Sequence, residues 1–514
     1  MKFSIISRRR VWRSTGLIAG AATVALTLSM MSVTQAASPT PGGTLRVGVT
    51  GGSSKDSLDA HSPTSDPDIA RAISLNSSLA TYDTNHKLVM ALASSIKPNK
   101  NATEWTITLR SGLKFSDGSP LTSADVIATF SRIVTQKKDG AESLQGIDFT
   151  KTVAVDDRTV KVILTASDST FVDAMAYYAN GIVPANYDPT NPVGAGPFKF
   201  KSFTAGQQSE FERNPFYFVA GQPYVDSLIL IDFGDDTSRV NALLSGQVDA
   251  IDGLPSAQAP IIKASGSYKV LESRTGGWIP FTMRVDRAPF NDVRVRQALR
   301  LLVDRGQMVR QVLGGHGTIG NDMYAPFDAC YPSKLPQRKL DVAKAKALLK
   351  AAGKSNLKIE LVTAPIAAGA VEAATVFAQE AKAGGVTVKI KKLDTNAFWN
   401  NYLKWDFAES FWFTRDFLPQ TAAGSLPTSP YNETHWANAK FISLVGKAKQ
   451  TSDQKTRCSL IQQAMTIEYN TGGNIIWGFP NQLDAYSTKV QGLVPDKSGI
   501  PLTSFGFQKV WLTK

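Results

Sequence analysis

Histidine and cysteine are scarce in this chain, with four and two residues among 514. Two thiols cannot build a four-thiolate zinc or iron–sulfur site. His61, His86, His316 and His435 lie far apart in loop-like stretches, with none of the spacings that hold a bare metal ion. A nucleophile elbow and a phosphate-binding loop are also missing. No catalytic residue or cofactor is therefore expected, and an exported enzyme is the remotest class considered. After residues 17–33 no comparable apolar run follows to suggest a further membrane-spanning helix. Acidic residues are outnumbered 43 to 56, giving a formal charge of +13. The basic excess is partly in the N-terminal leader and otherwise dispersed in short groups such as Lys389, Lys391 and Lys392, so no nucleic-acid partner is expected.

What is present begins with an export signal. Arg8, Arg9, Arg10 and Arg13 form a basic leader, residues 17–33 an apolar run, and Thr34-Gln35-Ala36 before Ala37 the small-residue pattern of a cleavage site. Residues 1–36 thus read as a signal peptide cut near Ala36. The run is too short for a comfortable span, and no cysteine sits at the cut to carry a lipid. Paired arginines keep both the general and the twin-arginine export routes open. The mature chain exceeds what one core serves, so two or three lobes are expected. Cys330 and Cys458 could bridge and close a long loop; Cys458 among Leu460, Ile461, Ala464 and Met465 equally suits a buried free thiol.

The most informative stretch is 105–126. Trp105, Ile107 and Leu109 alternate with Thr106, Thr108 and Arg110 as a half-buried strand, and Asp117-Gly118 marks a turn. Thr122 with Asp125 forms a capping box before a helix whose apolar face is Val126, Ile127 and Phe130. Further on, Gly194, Gly196 and Pro197 set a sharp entry into a strand at Phe198. Strand 357–361, helix 371–381 and strand 386–390 predict a parallel pair with a right-handed crossover. The chain reads as α/β lobes.

The order and spacing of these blocks resemble the extracytoplasmic solute-binding proteins of ABC importers, specifically the large peptide/nickel-type family 5. The resemblance spans nearly the whole mature chain. It implies a periplasmic-binding-protein-like two-lobe clamp of class II type with an extra inserted domain. Segments 37–58, 191–285 and 490–514 would form domain I, 59–190 the inserted domain II, and 286–489 domain III. The implied function is a periplasmic, monomeric binding component that captures an oligopeptide or similarly sized organic solute and delivers it to a membrane permease. The alternative is a metal-chelate or other non-peptide anionic solute, with no bare metal site.

Ligand choice is expected within 398–436, a stretch dense in rings. Alternation of Trp405, Phe407, Glu409 and Phe411 makes part of it a strand, and Trp412 follows as the candidate cleft wall. In peptide-binding relatives an aspartate three residues after such a tryptophan pairs with the ligand's amino group. Here that position is Arg415, and Asp416 comes one later. Three readings stay open: Arg415 facing an anionic ligand, a structural Arg415–Asp416 pair, or Asp416 in the usual role. Further candidates are Trp399, His435 and Trp436 in the same stretch, Trp278 after Gly276-Gly277, and Gly51 with Gly52 after the first strand.

Overall fold

The computed structural model describes residues 38–513 apart from positions 333, 395, 396 and 399. The signal-peptide reading and its cut near Ala36 lie outside the described residues, as does Trp399.

Three sheets carry the fold. In the first, Thr44–Thr50 is central and pairs in parallel with Ser227–Phe233 on one side and Ala250–Ile251 on the other. Gln208–Arg213 and Phe198–Thr204 extend one edge, Gly478–Ser487 and Tyr268–Arg274 the other. Alternation explains the placement: Leu45, Val47 and Val49 point into a core with Phe198, Phe211, Leu228 and Leu230. Helix Asp66–Leu75 covers this core with Ala70 and Leu75, and Ser65 caps its start by accepting the Asp68 amide at 3.4 Å. Gly478–Ser487 falls inside the segment 286–489 expected to form the third domain, yet it belongs to this first sheet. It pairs with Tyr268–Arg274 over seven positions, because Leu483 and Ala485 complete a core with Val240, Leu243 and Ile251.

The second sheet is antiparallel, in the order Ala93–Pro98, Glu104–Leu109, Thr159–Ile163, Val153–Asp156. Trp105, Ile107 and Leu109 are buried. Gly118 takes a φ of +87° in the turn. The capping box then forms, with the Thr122 amide donating to Asp125 Oδ2 at 2.9 Å, and helix Ser123–Thr135 buries Val126, Phe130 and Ile133. The third sheet runs Thr387–Lys392, Lys358–Thr363, Phe407–Glu409, Phe281–Met283, Asn474–Ile475. Its first two strands are parallel, joined across helix Ala370–Ala381, which buries Ala373, Ala374 and Phe377. Cys330 and Cys458 are bridged with an S–S distance of 2.03 Å, tying the loop around residue 330 to helix Gln454–Thr471. Among the described residues no helix is long and apolar enough to cross a membrane.

Candidate ligand-binding cleft

The first sheet, the second sheet's helices and the third sheet's loops each bring side chains to a common junction. From the first, the chain leaves strand Thr44–Thr50 through Gly51 and Gly52, both at positive φ. A Cβ on Gly52 would lie 2.5 Å from Asp232 Cβ, so only glycine lets the loop pass. The loop is anchored from below by Arg71, whose buried guanidinium donates to Asp56 at 3.0 Å, Asp68 at 2.9 Å, Asp232 at 2.6 Å and Ser209 Oγ at 2.7 Å. Beside this loop stands Asp66, in the first turn of its helix. Burial, then the neighbouring Asp252 and Asp484, push its carboxyl up to about 7, with Arg239 pulling the other way. Asp66 takes no hydrogen bond or ion pair from the described residues.

The second sheet's helices add Tyr177 and Tyr178, whose rings lie 4.6 Å apart, together with Asp139 and Glu142. The Tyr177 hydroxyl donates to Asp139 Oδ2 at 2.5 Å. Burial raises the Asp139 and Glu142 carboxyls, and the charge of Arg415 holds them back. Burial above all raises the Tyr178 phenol, the Tyr177 hydroxyl pulls it back, and smaller charge effects reach it from Asp139, Arg415 and Asp66.

The third contribution is built on an aromatic stack. Trp278 and Trp412 exchange backbone hydrogen bonds at 2.9 Å in both directions and stack their rings 5.9 Å apart, with Tyr324 stacked on the far side of Trp278 at 5.4 Å. Arg415 lies with its guanidinium 5.5 Å from the Trp412 ring centre and takes no hydrogen bond or ion pair from the described residues. Tyr431 meets Trp412 edge-on, and both Tyr431 and Phe413 are exposed. The site therefore offers a guanidinium that makes no hydrogen bond or ion pair with the described residues, together with carboxyls and ring faces, a set suited to holding a charged organic molecule.

The adjacent aspartate points elsewhere. Asp416 Oδ1 is 3.4 Å from His86 Nε2, and His86 stacks on Tyr82 at 4.5 Å. Asp173 beside them is raised to about 7, by burial first and Asp416 next. The structural Arg415–Asp416 pair is thus corrected: residue 416 has an extended backbone, φ −71° and ψ 164°, and consecutive side chains diverge.

The remaining sequence candidates scatter. Trp278 and Trp412 are brought to the junction but are themselves buried, at 3% and 8% exposure. Trp436, expected to reach the cleft, is packed on Phe441 in a core instead. His435 sits apart, 3.3 Å from the Leu403 carbonyl and 3.9 Å from Asp286. His61 contacts the Gly181 carbonyl and His316 contacts Glu272, so each histidine has a separate environment. Among the described residues no three His, Cys, Asp or Glu side chains group as metal ligands. Asp66, Asp139 and Tyr178 went unnoticed in the sequence. In the sequence Asp66 has only the look of a first-turn acid that complements its helix dipole.

Comparison with known proteins agrees with this architecture. Glutathione-binding protein GsiB of Pectobacterium atrosepticum is 25% identical over 90% of this chain and 93% of its own length. The binding protein AgaA of A. tumefaciens R10, solved with agropinic acid, superposes with a TM-score of 0.78 at 25% identity, covering 92% of this chain and 99% of that one. The substrate-binding protein CtaP of Listeria monocytogenes gives 0.81 at 22% identity, covering 92% and 100%. The model of the bacterial extracellular solute-binding proteins, family 5 Middle, matches residues 87–432. With more than half its length matched and a two-lobe clamp around the junction, the chain belongs to the family 5 extracellular solute-binding proteins.

Proposed function

We propose that this chain is the periplasmic substrate-binding component of an ABC importer, taking a peptide-sized organic solute with an anionic group and passing it to a membrane permease. The observation that carries the anionic part is Arg415: a guanidinium at the junction, braced on Trp412, with no partner among the described residues. A carboxylate would receive two parallel N–H donors there, a stronger contact than any neutral pair. Two relatives support the cargo class, one named for glutathione and one solved with agropinic acid. A metal chelate is disfavoured, since His435 lies with Leu403 and Asp286 rather than with Arg415. The separate settings of the four histidines likewise favour a binder over an enzyme. Closure of the lobes about the junction would bury the solute, and the closed form would dock on the permease. The N-terminal signal supports release into the periplasm after cleavage near Ala36.

The test is mass spectrometry of the compound released on unfolding the purified protein, followed by calorimetry with that compound. Arg415→Ala is expected to weaken a recovered anionic compound by about 10- to 100-fold, the worth of one charge-assisted contact. Unchanged affinity would remove Arg415 from the site. A recovered mixture of ordinary short peptides that bind both forms equally would refute the anionic reading.

A further inference from the structure

Resting on the Arg415 reading above, we infer that the bridged segment 324–330 is the positioning element of the solute loop: Asp328 caps the helix behind Arg415 in place of Asp416, and the Cys330–Cys458 bridge keeps Asp328 there.

Helix Phe417–Gly424 begins two residues after Arg415, and its own N-cap does not close it. The N-cap position belongs to Asp416, a residue type that ordinarily accepts a first-turn amide. The Asp416 carboxyl makes no such bond and lies 3.4 Å from His86 instead. A buried helix start needs acceptors for its first amides, and here one comes from 89 residues away. Asp328 Oδ2 accepts the Phe417 amide at 2.8 Å, and Oδ1 accepts the Cys330 amide at 2.7 Å. One carboxylate thus ties the start of the helix to the backbone of a bridged cysteine.

The rest of segment 324–330 is seated against the same loop. Tyr324 stacks on Trp278 at 5.4 Å and on Phe417 at 5.6 Å. Ala325 is held at a φ of +57°, a conformation that alanine keeps only under contacts on either side. The Tyr324 hydroxyl donates to Glu468 at 2.7 Å, on helix Gln454–Thr471, which also carries Cys458. Glu468 therefore fastens the segment at residue 324 and the bridge fastens it at residue 330, with Asp328 clamped between them. Arg457, next to Cys458, acts on Asp328 as well: burial first and Asp416 next raise its carboxyl, while the Phe417 and Cys330 amides and the charge of Arg457 hold it back.

The consequence reaches Arg415. Its guanidinium rests against the Trp412 ring and makes no hydrogen bond or ion pair with the described residues, so the backbone that carries it sets its place. That backbone is fixed on one side by the paired bonds of Trp412 with Trp278 and the Thr414 contact with the Gly276 amide. On the other side it is fixed by Asp328. Releasing the second side lets Arg415 swing while the ring stack stays. A two-pronged contact with a carboxylate tolerates little such movement, so affinity falls although the lobe remains folded.

Hydrogen exchange read by mass spectrometry on the mature, oxidised protein tests this without any solute. In Asp328→Ala, and in the double variant Cys330→Ser with Cys458→Ser, the amides of residues 415–417 are expected to exchange at least ~10-fold faster, while strand Thr44–Thr50 keeps its rates. Asp328→Asn, which retains an acceptor for the Phe417 amide, is expected to restore most of the protection. Unchanged rates at 415–417 in both altered proteins overturn the inference and leave the solute-binding reading standing. Calorimetry with glutathione adds a readout that a structural role alone would not move. Asp328→Ala and the double serine variant are each expected to weaken glutathione about 10-fold when Arg415 is present and less than about 2-fold in an Arg415→Ala background, where no guanidinium is left to position. Equal losses in both backgrounds overturn the positioning role. An Arg415→Ala protein that binds glutathione as the wild type does overturns the anionic reading and the inference with it. Where glutathione gives no heat, the exchange rates decide. Near-ultraviolet circular dichroism establishes that the variants are folded.

Discussion

Replacing Arg71 by methionine should unfasten the floor of the cleft. The guanidinium is 1% exposed and joins three carboxylates whose own side chains are 0% to 3% exposed: Asp56 from the glycine loop, Asp68 from the same helix and Asp232 from the central sheet. Phe203 covers the guanidinium at 4.9 Å. Methionine keeps much of the volume but leaves three buried acids facing one another. Removing one partner of a buried ion pair costs about 3–5 kcal/mol, because the remaining charge is left uncompensated. The deficit must depend on pH. Asp232 is already raised to about 6 by burial even with Arg71 beside it, and without the cation it holds its proton to higher pH still. A carboxyl raised in the folded state contributes fully below its unfolded value, and that contribution is lost as pH rises through the folded value. The gap between wild type and Arg71→Met should therefore be small near pH 4, widen through pH 5 to 7 and reach about 3–5 kcal/mol at pH 8. Urea denaturation at these pH values reads it directly. A gap under about 1 kcal/mol at pH 8, or one equal at pH 4 and pH 8, would refute the assignment of Arg71 as the counter-ion of this node.

Two further perturbations probe the third sheet's lobe. Glu468 accepts from the Tyr324 hydroxyl at 2.7 Å and the Ser425 hydroxyl at 3.0 Å, and burial raises it to about 7. Protonated when folded and ionised when unfolded, it makes the wild type lose roughly 3 kcal/mol between about pH 4.5 and 7, a loss that Glu468→Gln avoids. Calorimetric stability curves that stay parallel across this window would contradict it. The bridge between Cys330 and Cys458 closes a separation of 128 residues, for which loop entropy gives about 5 kcal/mol and, at this chain length, a fall of about 5 °C in Tm on replacing both cysteines by serine. An unchanged Tm in the double variant would show that the loop is held by packing alone.

What could be read in advance was local. Thr122 and Asp125 are three residues apart, and their capping box needs no other part of the chain, so the sequence pattern and the geometry coincide. The parallel pair 358–363 and 387–392 was legible because its helix lies between the strands. Strand Gly478–Ser487 was not, since its partners at 250–251 and 268–274 lie some 200 residues earlier and nothing near residue 478 announces them. Ring density between 398 and 436 pointed to a cleft wall and a core at once. Tertiary packing sent Trp436 to the core and left Phe413 and Tyr431 outside. Asp66 was the deepest omission, because its acidic neighbours Asp252 and Asp484 arrive from remote segments.

Position 415 shows why scaffold and cargo separate so cleanly in this fold. The residues around it are fixed by structure: Trp412 is locked to Trp278 by paired backbone bonds, Thr414 Oγ1 accepts the Gly276 amide at 2.9 Å and donates to the Lys497 carbonyl at 3.0 Å, and Asp416 faces His86. Side chain 415 makes no hydrogen bond or ion pair with the described residues and only rests against the Trp412 ring. Its charge can therefore change without disturbing a sheet, a cap or a core, whereas Thr414 or Trp412 cannot change without moving the loop. On the proposed reading selectivity rests on residue 415, flanked by neighbours that hold it in position. Reversing the charge at 415 alone should abolish the binding of an anionic solute while leaving the clamp intact, as calorimetry and a urea melt together would show.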